Sequence, residues 1–137
     1  MQRIILIRGL PGSGKTTMAK RIAQQKNAKV YSIDDYWEWN DGQKRFDPEY
    51  LSKARKLLFK KCEQAIKDGQ SIVVDSYNLN KKEIEPYTRL SKEFKTQLVK
   101  LVAPKNNEDI DYLEYYNRNN VPYHVILSMR EKWEDIE

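Results

Sequence analysis

Residues 9–16 read Gly-Leu-Pro-Gly-Ser-Gly-Lys-Thr and follow directly on the apolar run Ile4-Ile5-Leu6-Ile7. Glycines at this spacing let backbone N–H groups close around an anion, while the lysine adds a cation and the threonine a metal-binding hydroxyl. A helix that begins at this point aims its positive end at the same anion. The spacing therefore predicts a binding loop for a nucleoside triphosphate.

Each side chain of this loop has a distinct expected role. Lys15 is expected to reach the β- and γ-phosphates, and the Thr16 hydroxyl is expected to bind Mg²⁺. Apolar residues at helical spacing predict a helix from Thr16 to about Gln25, a context that argues against a chance match. The residues expected to contact ATP are Gly9, Leu10, Pro11, Gly12, Ser13, Gly14, Lys15, Thr16 and Thr17.

Acidic side chains follow two further apolar runs. Residues 29–33 predict a second strand that ends on Asp34-Asp35, and residues 71–75 predict a fully covered third strand that ends on Asp75. A carboxylate commonly takes the acceptor's proton in phosphoryl transfer, and Asp34 is the expected catalytic base, with Asp35 left open as the alternative. Asp75 is expected to hold Mg²⁺ together with Thr16. For each acid the structural alternative is a hydrogen-bonding role in its own turn.

Charge that develops on a transferred phosphoryl group calls for an arginine. Arg118, in the loop between the last two predicted helices, is the expected catalytic arginine, and Arg130 on the last helix is its competitor. Residues 36–46 combine aromatic and cationic side chains suited to stacking on bases or sugars. Asp35, Trp37 and Arg45 are the expected acceptor-binding residues, and the alternative for a tryptophan here is to cover the core.

Strands that alternate with helices predict an α/β fold, a three-layer sandwich with a four-stranded parallel sheet and a helical lid. The phosphate loop, Asp34 and Asp75 all fall at carboxyl ends of strands, where ligands bind in such sheets. The other expected elements are a helix opened by Asp47-Pro48, a helix with Pro86 near its start, a strand over 97–102, a helix capped by Asn107, and a last helix opened by Pro122.

Composition bounds the class of protein. At 137 residues the chain fits a single domain, 1–137, and its net charge of +5 favours anionic partners such as nucleic acid. Cys62 is the sole cysteine, so an intramolecular disulfide is excluded and this thiol is expected to pack in the core. No apolar run approaches the ~18 residues of a membrane span, and a cytoplasmic protein without membrane contact is expected.

Five segments in order and spacing carry a family resemblance: 8–17, Ser-Ile-Asp-Asp-Tyr at 32–36, Phe-Asp-Pro at 46–48, Ile-Val-Val-Asp-Ser-Tyr-Asn at 72–78, and Glu-Pro-Tyr at 85–87. The chain resembles the polynucleotide-kinase-like P-loop kinases, particularly the branch with kinase domains of NEDD4-binding-protein-2 type. The resemblance implies transfer of the ATP γ-phosphate to a hydroxyl, in the prototype the 5′-OH of DNA or RNA, with Asp34 as base and a lid arginine near Arg118.

Two positions depart from the family pattern. Trp37 stands where bacteriophage-type members carry an arginine for the acceptor's phosphate, and Tyr116 stands where a lid arginine is expected, so Arg118 has to supply the charge from two positions later. The acceptor is thus expected to be a nucleic-acid hydroxyl, most simply a 5′ end. A hydroxymethylated base, a small nucleoside-like metabolite, or a nucleotide-dependent module that transfers phosphate only to water are the alternatives.

Overall fold

The structure, a computed structural model, describes residues 1–37, 39–40, 43–44, 47–102 and 121–136. Within these ranges the strands are β1 Arg3–Arg8, β2 Lys29–Ser32, β3 Trp39–Asn40, β4 Gln43–Lys44, β5 Ile72–Asp75 and β6 Gln97–Val102. The helices are α1 Lys15–Lys26, α2 Leu51–Lys67, α3 Lys81–Glu93 and α4 Tyr123–Lys132. Short 3₁₀ turns span Ile33–Tyr36 and Pro48–Tyr50.

The main sheet has four parallel strands in the order β2-β5-β1-β6, which confirms the predicted parallel α/β sheet. Along the sheet, Asp75 at the end of β5 is paired with Ile7 of β1 on one side and with Ser32 of β2 on the other. The carboxyl ends of β1, β2 and β5 therefore meet at one edge.

Strand residues alternate between the two faces of the sheet and build two apolar clusters. Ile5, Ile7 and Val73 pack with Ala19 and Ala23 of α1 on one face. On the other face the strands pack with α2, α3 and α4 through a larger cluster that includes Ile4, Leu6, Ile72, Val74, Leu58, Leu90 and Ile126. Because a period of two sends successive side chains to opposite faces, this division produces the expected three layers.

Helix boundaries follow local capping chemistry. The Asp47 carboxylate accepts a hydrogen bond from the Glu49 N–H and opens the turn that leads into α2, as predicted. The start of α3 was predicted near Pro86, which is wrong by about a turn. The Asn80 side chain accepts from the Glu83 N–H and begins the helix at Lys81, so Pro86 lies inside it and one main-chain hydrogen bond is absent there.

Two features of the main sheet's surroundings were not predicted. β3 and β4 form a separate antiparallel pair, and the chain after β2 turns into the 3₁₀ segment Ile33–Tyr36. The predicted helix that Asn107 caps, and with it most of the predicted lid, lies outside the described residues. None of the helices in the described ranges is long and apolar enough to cross a membrane.

Candidate active site

The phosphate loop joins the buried strand β1 to helix α1, as the sequence predicts. Gly12 and Gly14 have φ values of 82° and 88°, a left-handed conformation that favours glycine. Gly9 has another role, because its N–H donates to the Tyr77 carbonyl at 3.2 Å and ties the loop to the segment after β5. The loop is closed internally by the Ser13 N–H, which donates to the Leu10 carbonyl at 3.1 Å.

The beginning of α1 carries polar groups that make no hydrogen bond within the described residues. Gly14 stands at the N-cap, where no side chain caps the helix, so its first N–H groups have no intrahelical acceptor. The Ser13 hydroxyl is buried and makes no hydrogen bond within the described part of the chain. Backbone donors, an unpaired hydroxyl and the positive end of the helix dipole together suit a phosphate group.

Asp75 is the centre of the site. Its carboxylate is fully buried, and Oδ2 accepts hydrogen bonds from the Thr16 hydroxyl at 3.0 Å and the Ser32 hydroxyl at 3.1 Å. Thr16 comes from α1 and Ser32 from the neighbouring strand, directly across the β2–β5 register. The two residues expected to bind Mg²⁺, Thr16 and Asp75, therefore lie in direct contact.

Lys15 lies on the other oxygen of the same carboxylate. Its Nζ is 3.9 Å from Asp75 Oδ1 and 4.7 Å from the centroid of the Tyr77 ring, and the residue is only 6% exposed. At that separation the contact is an ion pair without a hydrogen bond, and Oδ1 accepts no hydrogen bond from any described residue. One carboxylate oxygen in a fully buried position is therefore left for a further ligand.

Burial raises the pKa of the Asp75 carboxyl, because desolvation disfavours its charged form. Lys15 lowers that pKa, the nearby charge of Asp34 raises it, and the hydrogen bonds from Thr16 and Ser32 lower it. A cation placed beside the carboxyl stabilises the ionised form, so this environment favours metal binding.

Thr16 and Asp75 fit a magnesium ion by donor chemistry. Mg²⁺ prefers hard oxygen ligands and is commonly held by one or two carboxylates together with substrate phosphates and water. Asp75 Oδ1, which accepts no hydrogen bond from a described residue, and the adjacent Thr16 hydroxyl match that donor set. A dedicated cage is not needed, in agreement with the absence of any cluster of three His, Cys, Asp or Glu side chains in the part of the chain that the structure describes.

The candidate base, Asp34, is held in place by its neighbours. Its Oδ1 accepts a hydrogen bond from the Trp37 indole N–H at 3.2 Å, and its backbone N–H donates to the Ser32 hydroxyl at 3.1 Å. Ser32 therefore contacts both the Asp34 backbone and the Asp75 carboxylate. Asp35, the next residue of the same 3₁₀ turn, is exposed. Asp34 is thus the member of the acidic pair that Ser32 links to Asp75.

Trp37 does not present the open stacking surface expected of an acceptor-binding residue. It is 3% exposed and belongs to the apolar cluster under α2, so the alternative that it covers the core describes its position. Burying the ring removes a large apolar surface from water and leaves the indole N–H directed at Asp34. Its contribution to the site is then to orient that carboxylate.

Some of the remaining expected site residues lie within the described ranges, and two lie outside them. Leu10 and Pro11 are buried in the loop, and Thr17 is exposed on α1. Arg130 lies exposed on α4. Arg45 and Arg118 lie outside the described residues, so their roles stay predictions.

Arg8 was not predicted as a site residue, but it holds the segment after β5 in place beneath the phosphate loop. Its buried guanidinium donates from Nε to the Asn78 carbonyl at 2.8 Å, and from Nη2 to the Leu79 carbonyl at 2.9 Å and to the Glu134 carbonyl. It also lies 4.1 Å from the Trp133 ring centroid. The available signal was an arginine directly after the apolar run Ile4-Ile5-Leu6-Ile7 and before the phosphate loop.

Ser32, Tyr77 and Asn78 were also missed as site residues. The Asn78 amide donates to the Ile7 carbonyl at 2.8 Å and, with φ of 48°, turns the chain under the phosphate loop. The signal for Ser32 was its register, since two parallel strands that end together place Ser32 opposite Asp75. Tyr77 lies under Lys15, a relationship that no spacing in the sequence indicates.

Comparison with known proteins identifies the family of this chain. A family model described as an AAA domain matches residues 4–134. NEDD4-binding protein 2 of Homo sapiens is 32% identical over 155 aligned residues, which cover 98% of this chain and 9% of that much longer protein. The chain thus corresponds to about a tenth of that relative.

Two solved structures share the fold. A chain of the Pnkp1/Rnl/Hen1 RNA repair complex has a TM-score of 0.70 at 16% identity, covering 96% of this chain and 43% of that one. A sugar kinase from Janibacter sp. HTCC2649 has a TM-score of 0.68 at 15% identity, covering 100% and 80%. The chain therefore belongs to the AAA-domain family and shares the fold of these kinase-containing structures.

Proposed function

We propose that this protein is a kinase that transfers the γ-phosphate of ATP to a hydroxyl of a nucleic acid, most simply the 5′-OH of DNA or RNA. One observation carries the proposal. The Asp75 carboxylate accepts a hydrogen bond from Thr16 and forms an ion pair with Lys15. The Ser32 hydroxyl links it to the next turn, because this hydroxyl donates to Asp75 and accepts from the Asp34 N–H. The phosphate loop after β1 and the candidate base after β2 therefore flank the end of β5, which carries Asp75, and this supports phosphoryl transfer to a hydroxyl.

The chain's residues would act as follows. Backbone N–H groups of the loop and the Lys15 ammonium bind the β- and γ-phosphates and offset their charge. The acceptor oxygen forms a bond to the γ-phosphorus, the bond from that phosphorus to the β–γ bridging oxygen breaks, and ADP leaves. The acceptor's proton passes to the Asp34 carboxylate, which the Trp37 N–H orients. Magnesium held by Thr16 and Asp75 would offset charge on the phosphate oxygens.

Two similarities and the net charge bear on the identity of the acceptor. Similarity to a chain of an RNA repair complex and the net charge of +5 favour a nucleic acid. The similarity to a sugar kinase favours a small hydroxyl acceptor as the second candidate. Both candidates use the same loop, base and metal ligands and differ only in what lies beside Asp34.

A labelling experiment separates these possibilities. The protein is incubated with γ-labelled ATP, Mg²⁺ and, in separate reactions, 5′-OH DNA, 5′-OH RNA, a duplex with hydroxymethylated bases, nucleosides and simple sugars. Label on a polymer end supports the proposal, whereas label only on a modified base or a small molecule replaces the acceptor. Label released solely as inorganic phosphate would contradict kinase function.

Assays of Arg118→Ala and Arg130→Ala with the same acceptor identify the arginine that stabilises the charge on the transferred phosphoryl group. We expect the Arg118 variant to lose up to ~10³ in turnover, within the range of supplied arginines. A larger loss in the Arg130 variant would transfer the role to α4.

A further inference from the structure

A cleft runs between α2 and α3 outside the phosphate site. Its volume is about 740 Å³, which lies within the range of ligand-binding sites. Ser76 and Asn78 line one end of it, and these residues follow Asp75 by one and three positions. The cleft therefore extends to the segment that follows β5 and Asp75.

Cations dominate the rim of this cleft. Five cationic side chains and one carboxylate line it, and the carboxylate, Glu83, is already engaged by Arg55 at 3.4 Å and by the Leu79 N–H at 3.3 Å. The four lysines are Lys56, Lys60, Lys82 and Lys132, all exposed. None of these four forms an ion pair with a residue of the described ranges, so their charge is available to an anionic ligand.

The floor of the cleft is apolar and partly aromatic. Leu58, Phe59, Pro86 and Tyr87 line it, and the rings of Phe59 and Tyr87 meet edge to face with centroids 5.3 Å apart. Leu58 and Tyr87 are almost fully buried, so the half-buried Phe59 and Pro86 supply most of the accessible floor. An apolar floor with an accessible ring, between exposed cations, suits a chain that carries flat bases and regularly spaced phosphates. A single strand of nucleic acid has this chemistry, since its bases are free to leave the stack.

We propose that the α2–α3 cleft binds the nucleotides that follow the reacting 5′ end of a single-stranded acceptor, with phosphates on the lysine rim and bases over the apolar floor. The inference rests on the proposed function for the position of the 5′ end, beside Asp34 and Asp75. Lengthening the acceptor then extends binding into the cleft without altering how the reacting hydroxyl is held.

Paired charge reversals test the cleft. Lys60→Glu with Lys82→Glu removes two rim cations, and Lys61→Glu with Lys92→Glu makes the same charge change at exposed positions of the same two helices outside the cleft. The probe is a single-stranded DNA 10-mer with a free 5′-OH and a 3′ fluorophore, titrated by anisotropy at several salt concentrations. Circular dichroism and thermal unfolding verify that both variants fold.

We expect the cleft variant to bind the 10-mer at least ten-fold more weakly than the control variant. The slope of log affinity against log salt should also fall by about 1 to 2, near 0.7 for each phosphate that the lysine rim no longer binds. In kinetics, KM for the 10-mer should rise while KM for a nucleoside 3′-monophosphate and for ATP stays unchanged. Equal affinities in the two variants, or no binding of the 10-mer by the unmodified protein, would overturn the cleft assignment.

The outcomes also separate the cleft from the proposed function. Cleft-dependent binding of the 10-mer without transfer of label to any nucleic acid would refute the proposed acceptor and retain the cleft. Transfer of label to 5′ ends with equal KM values in both variants would retain the function and refute the cleft.

Discussion

The indole N–H of Trp37 donates a hydrogen bond to Asp34 Oδ1 over 3.2 Å, from a ring that is itself buried in the core. A donor on a buried ring has little freedom to move, so the carboxylate it contacts is held in one orientation. Trp37, at the position where bacteriophage-type members of the resembled family carry an arginine, here contacts the proposed base.

Trp37→Phe should therefore lower turnover while leaving nucleotide binding intact. The substitution keeps an aromatic ring in the core and removes only the indole N–H, and hydrogen bonds to charged groups contribute about 1.5–3 kcal/mol. We expect kcat to fall about ten-fold with KM for ATP unchanged. Trp133→Phe is the matched control, because it removes an N–H bond to the exposed Asp135 carboxylate, and its kcat should stay within about two-fold. A normal kcat in the Trp37 variant would exclude the positioning role.

The sequence predicted the elements whose signals are local. Strand β6 begins and ends where predicted, and the strand ends that carry Gly9, Asp34 and Asp75 meet at one edge because parallel strands share a direction. The start of α3 was misplaced because Pro86 is typical of a first helical turn, whereas the Asn80–Glu83 capping pair decided the start. The burial of Trp37 and the clamp by Arg8 depend on neighbours far along the chain, which no local spacing reports.

Gly14→Ala and Gly69→Ala separate backbone strain from function. Both glycines have a left-handed φ, 88° and 85°, and a Cβ atom at either position meets no atom within 4 Å. Each substitution should lower the free energy of unfolding by roughly 1–2 kcal/mol through backbone strain alone. Only Gly14→Ala, at the N-cap beside the phosphate loop, should also weaken ATP binding in titration calorimetry. Equal ATP affinity in both variants would argue against the loop as the phosphate site.

Arg8→Lys should destabilise the protein although the positive charge is retained. Lysine offers a single ammonium where the planar guanidinium reaches three carbonyls and stacks on Trp133, and the site is almost fully buried. We expect the free energy of unfolding in urea to fall by about 2–4 kcal/mol, from hydrogen bonds to a charged group. Arg89→Lys on the exposed face of α3 should change stability by less than about 0.5 kcal/mol. A comparable effect of the two substitutions would show that the hydrogen bonds of Arg8 to the three carbonyls do not stabilise the fold.

Because of Cys62, the stability of the protein should decrease at alkaline pH. Burial raises the pKa of the Cys62 thiol from 9.0 to about 12. The contribution of the protonated thiol to the free energy of unfolding is therefore fully present below pH 9 and is lost as pH rises through 12. The free energy of unfolding of the unmodified protein, relative to that of Cys62→Ala, should fall by about 1 kcal/mol between pH 7 and pH 10. Thiol reagents should label Cys62 only after unfolding. Rapid labelling of the native protein, or a difference that stays constant with pH, would contradict the buried position.

The most direct test of the central claim compares the rate of γ-phosphate transfer by the unmodified protein and by Asp34→Asn, with saturating Mg²⁺ and ATP and the acceptor that takes label. Asparagine keeps the shape of the side chain and its contact with Trp37 but cannot accept the hydroxyl proton. We predict a rate lower by ~10²–10⁴, the range of general-base assistance, with ATP affinity nearly unchanged. Equal rates for the two proteins would contradict the claim that Asp34, at the strand ends beside the phosphate loop, is the base of this kinase.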